Sequence, residues 1–251
     1  MIGLYLAEGA MLTQQVRLEL ISNNLANIRT PGYKRSEAVQ TSFGEWLVHK
    51  SRTGPLPQEQ RRPVGTMAHN VAIAATPTYW GAGPLQESGR TLDLALMGPG
   101  FFQIRAGEEN LYTRNGQFTV NHEGYLTTIA GDLVMGEDGP LFLGTEEVRV
   151  AADGSLYREE VFLGRLRIVE FGPEAAFQRV GHTLYRVEGG EPLPAQGTAV
   201  WSGFLESSNV DLTREMTSLL EVRRCYEAAQ RVMHTYDSLL ARAANELGAL
   251  G

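Results

Sequence analysis

A single cysteine, Cys225, excludes an intrachain disulfide and any CxxC metal or redox site, and leaves the redox compartment open. Lysine is nearly missing: of 22 basic residues only Lys34 and Lys50 are lysine. A codon bias in the source genome is one expected cause, and the sturdier paired contacts of arginine are another. No apolar run approaches the roughly 18 residues that a membrane-spanning helix needs. The amino end, MIGLYLAEGAMLTQQVRLEL, has no basic n-region and no unbroken apolar stretch, and it carries Glu8, so it does not read as a secretory signal peptide. A net charge of −7 opposes binding to a phosphate backbone or an anionic bilayer, and nucleic acid is not an expected partner.

The usual signs of catalysis are also missing. The histidines at 49, 69, 122, 182 and 234 are scattered one per region, and His122-Glu123 lacks a zincin's second histidine because position 126 is leucine. No Gly-x-Ser-x-Gly elbow occurs. Gly98-Pro99-Gly100-Phe101-Phe102 meets no phosphate-loop pattern and reads as a tight turn delivering Phe101 or Phe102 to a core. Cys225, beside Arg223 and Arg224, has no general base near it in sequence and reads as a small helix residue. Glu108-Glu109 and Glu159-Glu160 sit in expected turns, where solvation explains them. These absences predict no cofactor, no metal, no small-molecule substrate and no enzymatic activity.

What is present is a pattern at both ends. Leu4, Ala7, Met11, Gln14, Leu18, Ile21, Leu25 and Ile28 recur every three or four residues, the spacing of a narrow helix-on-helix seam. Leu212, Glu215, Leu219, Val222, Tyr226, Ala229, Met233, Tyr236, Leu240, Ala243, Leu247 and Leu250 repeat it at the other end, and only Gln14 and Glu215 break the two apolar rows. The first helix is expected over about 4–28, before the Thr30-Pro31-Gly32 turn, because the residue ahead of a proline leaves the α region. The second is expected from an Asp211 N-cap to about Leu247, with Glu215 near the positive end of its dipole.

Between the ends the period changes. Residues 33–90 are rich in proline and glycine and read as an extended connector with one or two short elements, such as Ser42 to Val48. From about Thr91 to Glu206, short β-prone runs such as Phe101–Arg105, Gln117–Asn121, Gly164–Phe171, Thr183–Val187 and Val200–Leu205 are broken by turn dipeptides. These dipeptides are Asn115-Gly116, Glu123-Gly124, Asp138-Gly139, Asp153-Gly154 and Gly189-Gly190, too closely spaced for crossover helices. The fold class is therefore α+β: terminal helices pairing as a coiled-coil-like element around a central antiparallel β domain. The expected divisions are 1–32, 33–90, 91–206 and 207–251.

Three blocks carry a family resemblance. Leu20-Ile21-Ser22-Asn23-Asn24-Leu25-Ala26-Asn27 followed by Thr30-Pro31-Gly32-Tyr33-Lys34-Arg35 resembles the amino-terminal signature of the flagellar rod and hook proteins. Leu92-Asp93-Leu94-Ala95-Leu96, Gly98 to Phe102 and Tyr112 to Phe118 resemble that family's central segment. Ser208-Asn209-Val210-Asp211 leading into Glu221 to Glu227 resembles its end. The resemblance implies an axial subunit of the bacterial flagellum, closer to the proximal or distal rod than to the longer hook protein. It implies passage through the flagellar export apparatus, a location in the basal body outside the cytoplasmic membrane, and self or neighbouring rod and hook subunits as partners.

The residues add expectations of their own. Ser22, Asn23, Asn24 and Asn27 either cap the helix end locally or, for Asn24 and Asn27, bond to adjacent subunits. Thr30-Pro31-Gly32 is expected to fix the chain's exit, and Gly32→Val to abolish assembly while the β domain stays folded. Arg223, Arg224 and Arg231 with Glu221 and Glu227 flank the seam as partner-selecting charges or as a solvated face. An intramolecular hairpin can bury the two seams, but the greater length of the second helix leaves an overhang for another subunit. The alternatives are a hook-type or cap protein of the same family and, from another class, a cell-wall hydrolase or wall-binding module with coiled-coil ends.

Overall fold

The computed structural model describes residues 2–49, 63–144, 147–195 and 197–248. Helix α1 spans Ile2–Ala26 and helix α2 spans Leu212–Gly248. α1 starts two residues earlier than its periodicity suggests, and it also stops two residues earlier, where Asn27 closes a turn by accepting the Thr30 N–H at 3.1 Å. α2 begins where the capping argument places it: Asp211 Oδ1 accepts the N–H groups of Thr213 at 2.9 Å and Arg214 at 3.2 Å.

The chain divides into two units. The first holds residues 1–25, 36–79 and 211–251. Within it α1 and α2 run antiparallel, since Asn24 bonds Glu215 while a Cβ placed on Gly3 would meet the Tyr236 ring. The same unit holds a long antiparallel hairpin of Val39–His49 with Pro63–Ala75, which lies within the segment expected to be an extended connector. Thr13 on α1 donates to the Val71 carbonyl at 3.0 Å, so the hairpin is tied to the first helix.

The second unit, residues 26–35 and 80–210, is β-rich, and every described strand pair in it is antiparallel. Its main sheet runs Ala176–Arg179, Leu184–Glu188, Glu109–Thr113, Phe101–Ala106, Leu133–Val134, Leu126–Thr128, Phe118–Val120. The alternation of strand residues buries Phe102, Ile104, Leu111, Phe118, Leu126 and Val134 in one core, joined by Leu94, Leu143, Leu156 and Val200. Phe102 and Phe118 meet edge to face at 5.1 Å. Phe101 points the other way, into a second cluster with Tyr112, Val169, Trp80, Phe171 and Phe177. The glycine turn at 98–100 thus feeds both phenylalanines inward, one to each cluster.

Gly124, Gly139, Gly154 and Gly189 have the positive φ that their turn dipeptides suggest. Asn115-Gly116 serves a different purpose. Gly116 does not adopt a positive φ; instead its bare Cα lets the Leu94 carbonyl approach, where a Cβ would collide. Gly203 (φ +82) divides the expected 200–205 run into Ala199–Ser202 and Phe204–Glu206, and these pair with different partners, Leu94–Met97 and Leu85–Glu87.

Candidate assembly interface

Of the expected seam positions on α1, Ala7 and Ile21 are buried and Leu4, Met11, Gln14, Leu18 and Leu25 are half-buried, as is Ile28 just past the helix; Gly9, Thr13 and Asn24, outside that row, are buried as well. On α2, Glu215 and Val222 are buried, and Leu219, Tyr226, Ala229 and Met233 are half-buried. From there the row opens to solvent. Tyr236 is 37 % exposed and Leu240 54 %, Ala243 is exposed, and Leu212 at the other end is 46 % exposed. The side chain of Leu247 and residue Leu250 lie outside the described part. Because Gly3 is level with Tyr236, the last turns of α2 from 237 onward extend past the start of α1.

The two residues that interrupt the apolar rows are not equivalent. Gln14 stays at the edge and accepts from Arg17 at 3.3 Å. Glu215, 1 % exposed, accepts from Asn24 Nδ2 at 3.2 Å. Asn24 is itself 1 % exposed; it donates to the Ser36 carbonyl at 2.8 Å and accepts the Ser36 N–H at 3.2 Å. Its amide therefore joins α1, the return strand and α2 inside one chain. These bonds of Asn24 run between segments of one chain and not to the end of its own helix. Asn27 is buried and accepts from Thr30 at 3.2 Å, whereas Ser22 and Asn23 are exposed.

The rest of the motif builds a charged node in the β-rich unit. Lys34 and Glu206, 1 % and 2 % exposed, pair at 2.6 Å, and Arg114 lies 3.7 Å from the other Glu206 oxygen. Glu206 also accepts the Gly83 N–H at 2.9 Å, and Lys34 donates to the Gly81 carbonyl at 2.9 Å. Asn209 accepts the Arg35 N–H at 2.8 Å and donates to Gly81 at 3.0 Å. Segments 32–35, 81–83 and 206–209, each next to a point where the chain passes between units, are thus held together. Burial lowers the pKa of Lys34, opposed by the attraction of Glu206; Arg114 is lowered by the same cause, opposed by Glu206 and Glu170.

Tyr33 is buried under the Arg179 guanidinium, 4.7 Å from ring centre, and its hydroxyl accepts from Arg179 at 2.9 Å. Gly32 has φ +68 and donates to the Glu206 carbonyl at 2.7 Å. A Cβ there would strike the Asn115 backbone, so valine at position 32 would disturb the β-rich unit rather than spare it. Sequence reasoning missed Lys34, Glu206, Arg114 and Arg179 as a set. The available signal was a lysine inside the motif of a chain that otherwise uses arginine.

Cys225, Arg223 and Arg224 are exposed on α2, and Arg223 pairs with Glu227 at 3.1 Å. No cluster of three or more His, Cys, Asp and Glu able to hold a metal occurs among the described residues. None of the described helices is long and apolar enough to cross a membrane.

A node of buried, paired charges and a long half-open helix pair mark an architecture organised around its two terminal helices. Comparison with known families narrows the class. Residues 4–34 match the family described as flagella basal body rod protein, 95–157 the flagellar hook protein FlgE/F/G D1 domain, and 202–247 the flagellar basal body rod FlgEFG protein C-terminal region. Over 98 % of its length the chain is 31 % identical to the flagellar basal-body rod protein FlgG of Agrobacterium fabrum, covering 99 % of that protein. It is 29 % identical to the rod protein FlgF of Caulobacter vibrioides, with 98 % of each chain covered, and 27 % identical to the flagellar hook-basal body complex protein FlhO of Bacillus subtilis, again over 98 % of both. The chain belongs to the flagellar basal-body rod protein family.

Proposed function

We propose that this chain is a structural, non-enzymatic subunit of the bacterial flagellar basal-body rod, polymerising helically through α1 and α2. The observation that carries the reading is the α2 overhang: Leu239 and Leu240, each 54 % exposed, sit on turns that extend beyond the start of α1. Exposed apolar turns of this kind are covered by a neighbour in an assembly. A heterologous contact repeated from copy to copy gives an open helical polymer able to carry torque. Neighbouring rod and hook subunits are its partners, the flagellar export apparatus is its route, and the basal body outside the cytoplasmic membrane is its location. Asn24, Tyr33, Gly32 and Asn209 act inside the subunit, shaping it for assembly, while the seam and the overhang meet other copies.

Deleting residues 237–251 tests this. The shortened chain should keep the hydrogen-exchange protection of residues 91–206 and lose the ability to form helical filaments in concentrated solution. Filaments formed as readily as by the full chain would refute it.

A further inference from the structure

α1 is apolar on two sides. At 3.6 residues per turn, positions 5, 8, 12, 16 and 19 share a face turned away from seam positions 4, 7, 11, 18 and 21. Tyr5 and Leu12 are each 59 % exposed there and Val16 37 %. Glu8 and Glu19 bracket Leu12 and Val16, both glutamates exposed, and Arg17, the one basic residue of α1, is on the other side of the helix.

α2 has a second face of opposite sign. Positions 224, 228, 231, 235, 239 and 242 form a row turned away from its seam positions 222, 226, 229 and 233. Ala228, Arg231, Val232, Thr235 and Leu239 line a shallow groove that runs from that side to Tyr236 at the edge of the seam. Arg231 and Arg242 flank Leu239, both exposed and with no ion-pair partner among the described residues.

The two faces match in spacing as well as in charge. Glu8 and Glu19 are 11 residues apart, as are Arg231 and Arg242, about 16 Å in each case. Since α1 and α2 run antiparallel within a chain, copies stacked with one polarity bring α1 of one against α2 of the next in the antiparallel sense. That direction sets Glu8 by Arg242, Leu12 by Leu239, Val16 by Thr235 and Glu19 by Arg231. Large apolar groups meet between two charge pairs of the correct sign.

We propose that the outer face of α1 in one copy seats on the outer groove of α2 in a second copy of this chain, in this antiparallel register. The inference rests on the polymerising-subunit reading and names its lateral contact. Inside a chain Gly3 is level with Tyr236 and Asn24 is near Glu215. The trans register is displaced from this by about 12 residues, roughly 18 Å. A displaced contact joins unlike faces, so it propagates instead of closing on itself.

The test uses the full chain carrying Cys225→Ser with Leu12→Cys and Leu239→Cys, oxidised mildly at high concentration. A ladder of covalent oligomers is expected, and none from the Leu12→Cys, Ala228→Cys control, whose partner sits about 16 Å out of register. Separately, Glu8→Arg with Glu19→Arg should weaken self-association in sedimentation velocity by about tenfold, and adding Arg231→Glu with Arg242→Glu to the same chain should restore it. All these positions are exposed, and circular dichroism confirms folding of each variant. Self-association that persists without the ladder, or that ignores the charge reversals, overturns this register and leaves the polymer reading standing. A wild-type chain that stays monomeric at every concentration overturns both, and association only with a different axial protein overturns the choice of a second copy.

Discussion

Glu206 is the residue on which the β-rich unit's buried charges depend, and replacing it separates the node's electrostatics from its packing. Glu206→Gln keeps the shape and can still accept the Gly83 N–H, now at 2.9 Å, but it leaves Lys34 and Arg114 as two buried cations with no anion between them. Breaking a buried pair costs about 3–5 kcal/mol, and serving two cations puts this substitution near the upper end. Lys34→Met is milder. Glu206 keeps Arg114 and the Gly83 N–H, and the Gly81 carbonyl keeps its bond from Asn209 at 3.0 Å, so about 2–3 kcal/mol is expected. With a urea slope of about 2 kcal/mol/M, the midpoint for the β-rich unit should fall by about 2 M for the glutamine variant and about 1 M for the methionine variant. The double variant Lys34→Met, Glu206→Gln should cost less than the sum of the two single changes, because each of them removes the same Lys34–Glu206 attraction. Urea unfolding followed by hydrogen exchange of residues 94–143 reads the unit directly. Lys34→Met costing more than Glu206→Gln, or both lying within about 1 kcal/mol of wild type, would show that these charges are not coupled as described.

Other outcomes follow from the same geometry. Burial holds the Lys34 pKa below its ordinary 10.5, so in the alkaline window just under 10.5 the unfolded chain binds more protons and the Lys34 contribution rises with pH; the stability gap between wild type and Lys34→Met should change in that direction across the window, measured by urea midpoints at successive pH values. Asn24→Ala removes the hydrogen bonds to Ser36 and the one to buried Glu215, which should cost about 2–4 kcal/mol and speed exchange at Ser36 and in the first turns of α2 while leaving residues 94–143 unchanged. Gly32→Ala should cost about 1–3 kcal/mol from its positive φ and its contact with the Asn115 backbone, and Gly32→Val more, both read as weaker protection in the β-rich unit. Phe102→Ala empties a fully buried site and should cost about 3–5 kcal/mol by urea unfolding.

The relation between chain and fold differs from element to element. The seam rows were legible because a helix repeats every 3.6 residues, and a sheltered face leaves that period in the residue order whatever it packs against. The Asp211 cap was legible for the same local reason: donor and acceptor lie two and three residues apart. Most turn glycines could be read from their dipeptides, because positive φ is a property of one residue. Gly116 could not, since its cause is the Leu94 carbonyl, more than 20 positions away.

By itself, then, the sequence determined the periods, the caps, the turns and the family motif, all of which are set by neighbours within a few residues along the chain. It also marked Asn24 and Lys34 as parts of a motif without saying what they bond. Only the tertiary structure decided that Asn24 is spent on Ser36 and Glu215, that Lys34 finds Glu206 172 positions later, and that Arg179 covers Tyr33. The physical reason is that a buried polar group must find a partner of matching charge and geometry, and many residues in the sequence offer the same chemistry. Which of them is within reach depends on how the strands and helices bring distant segments together.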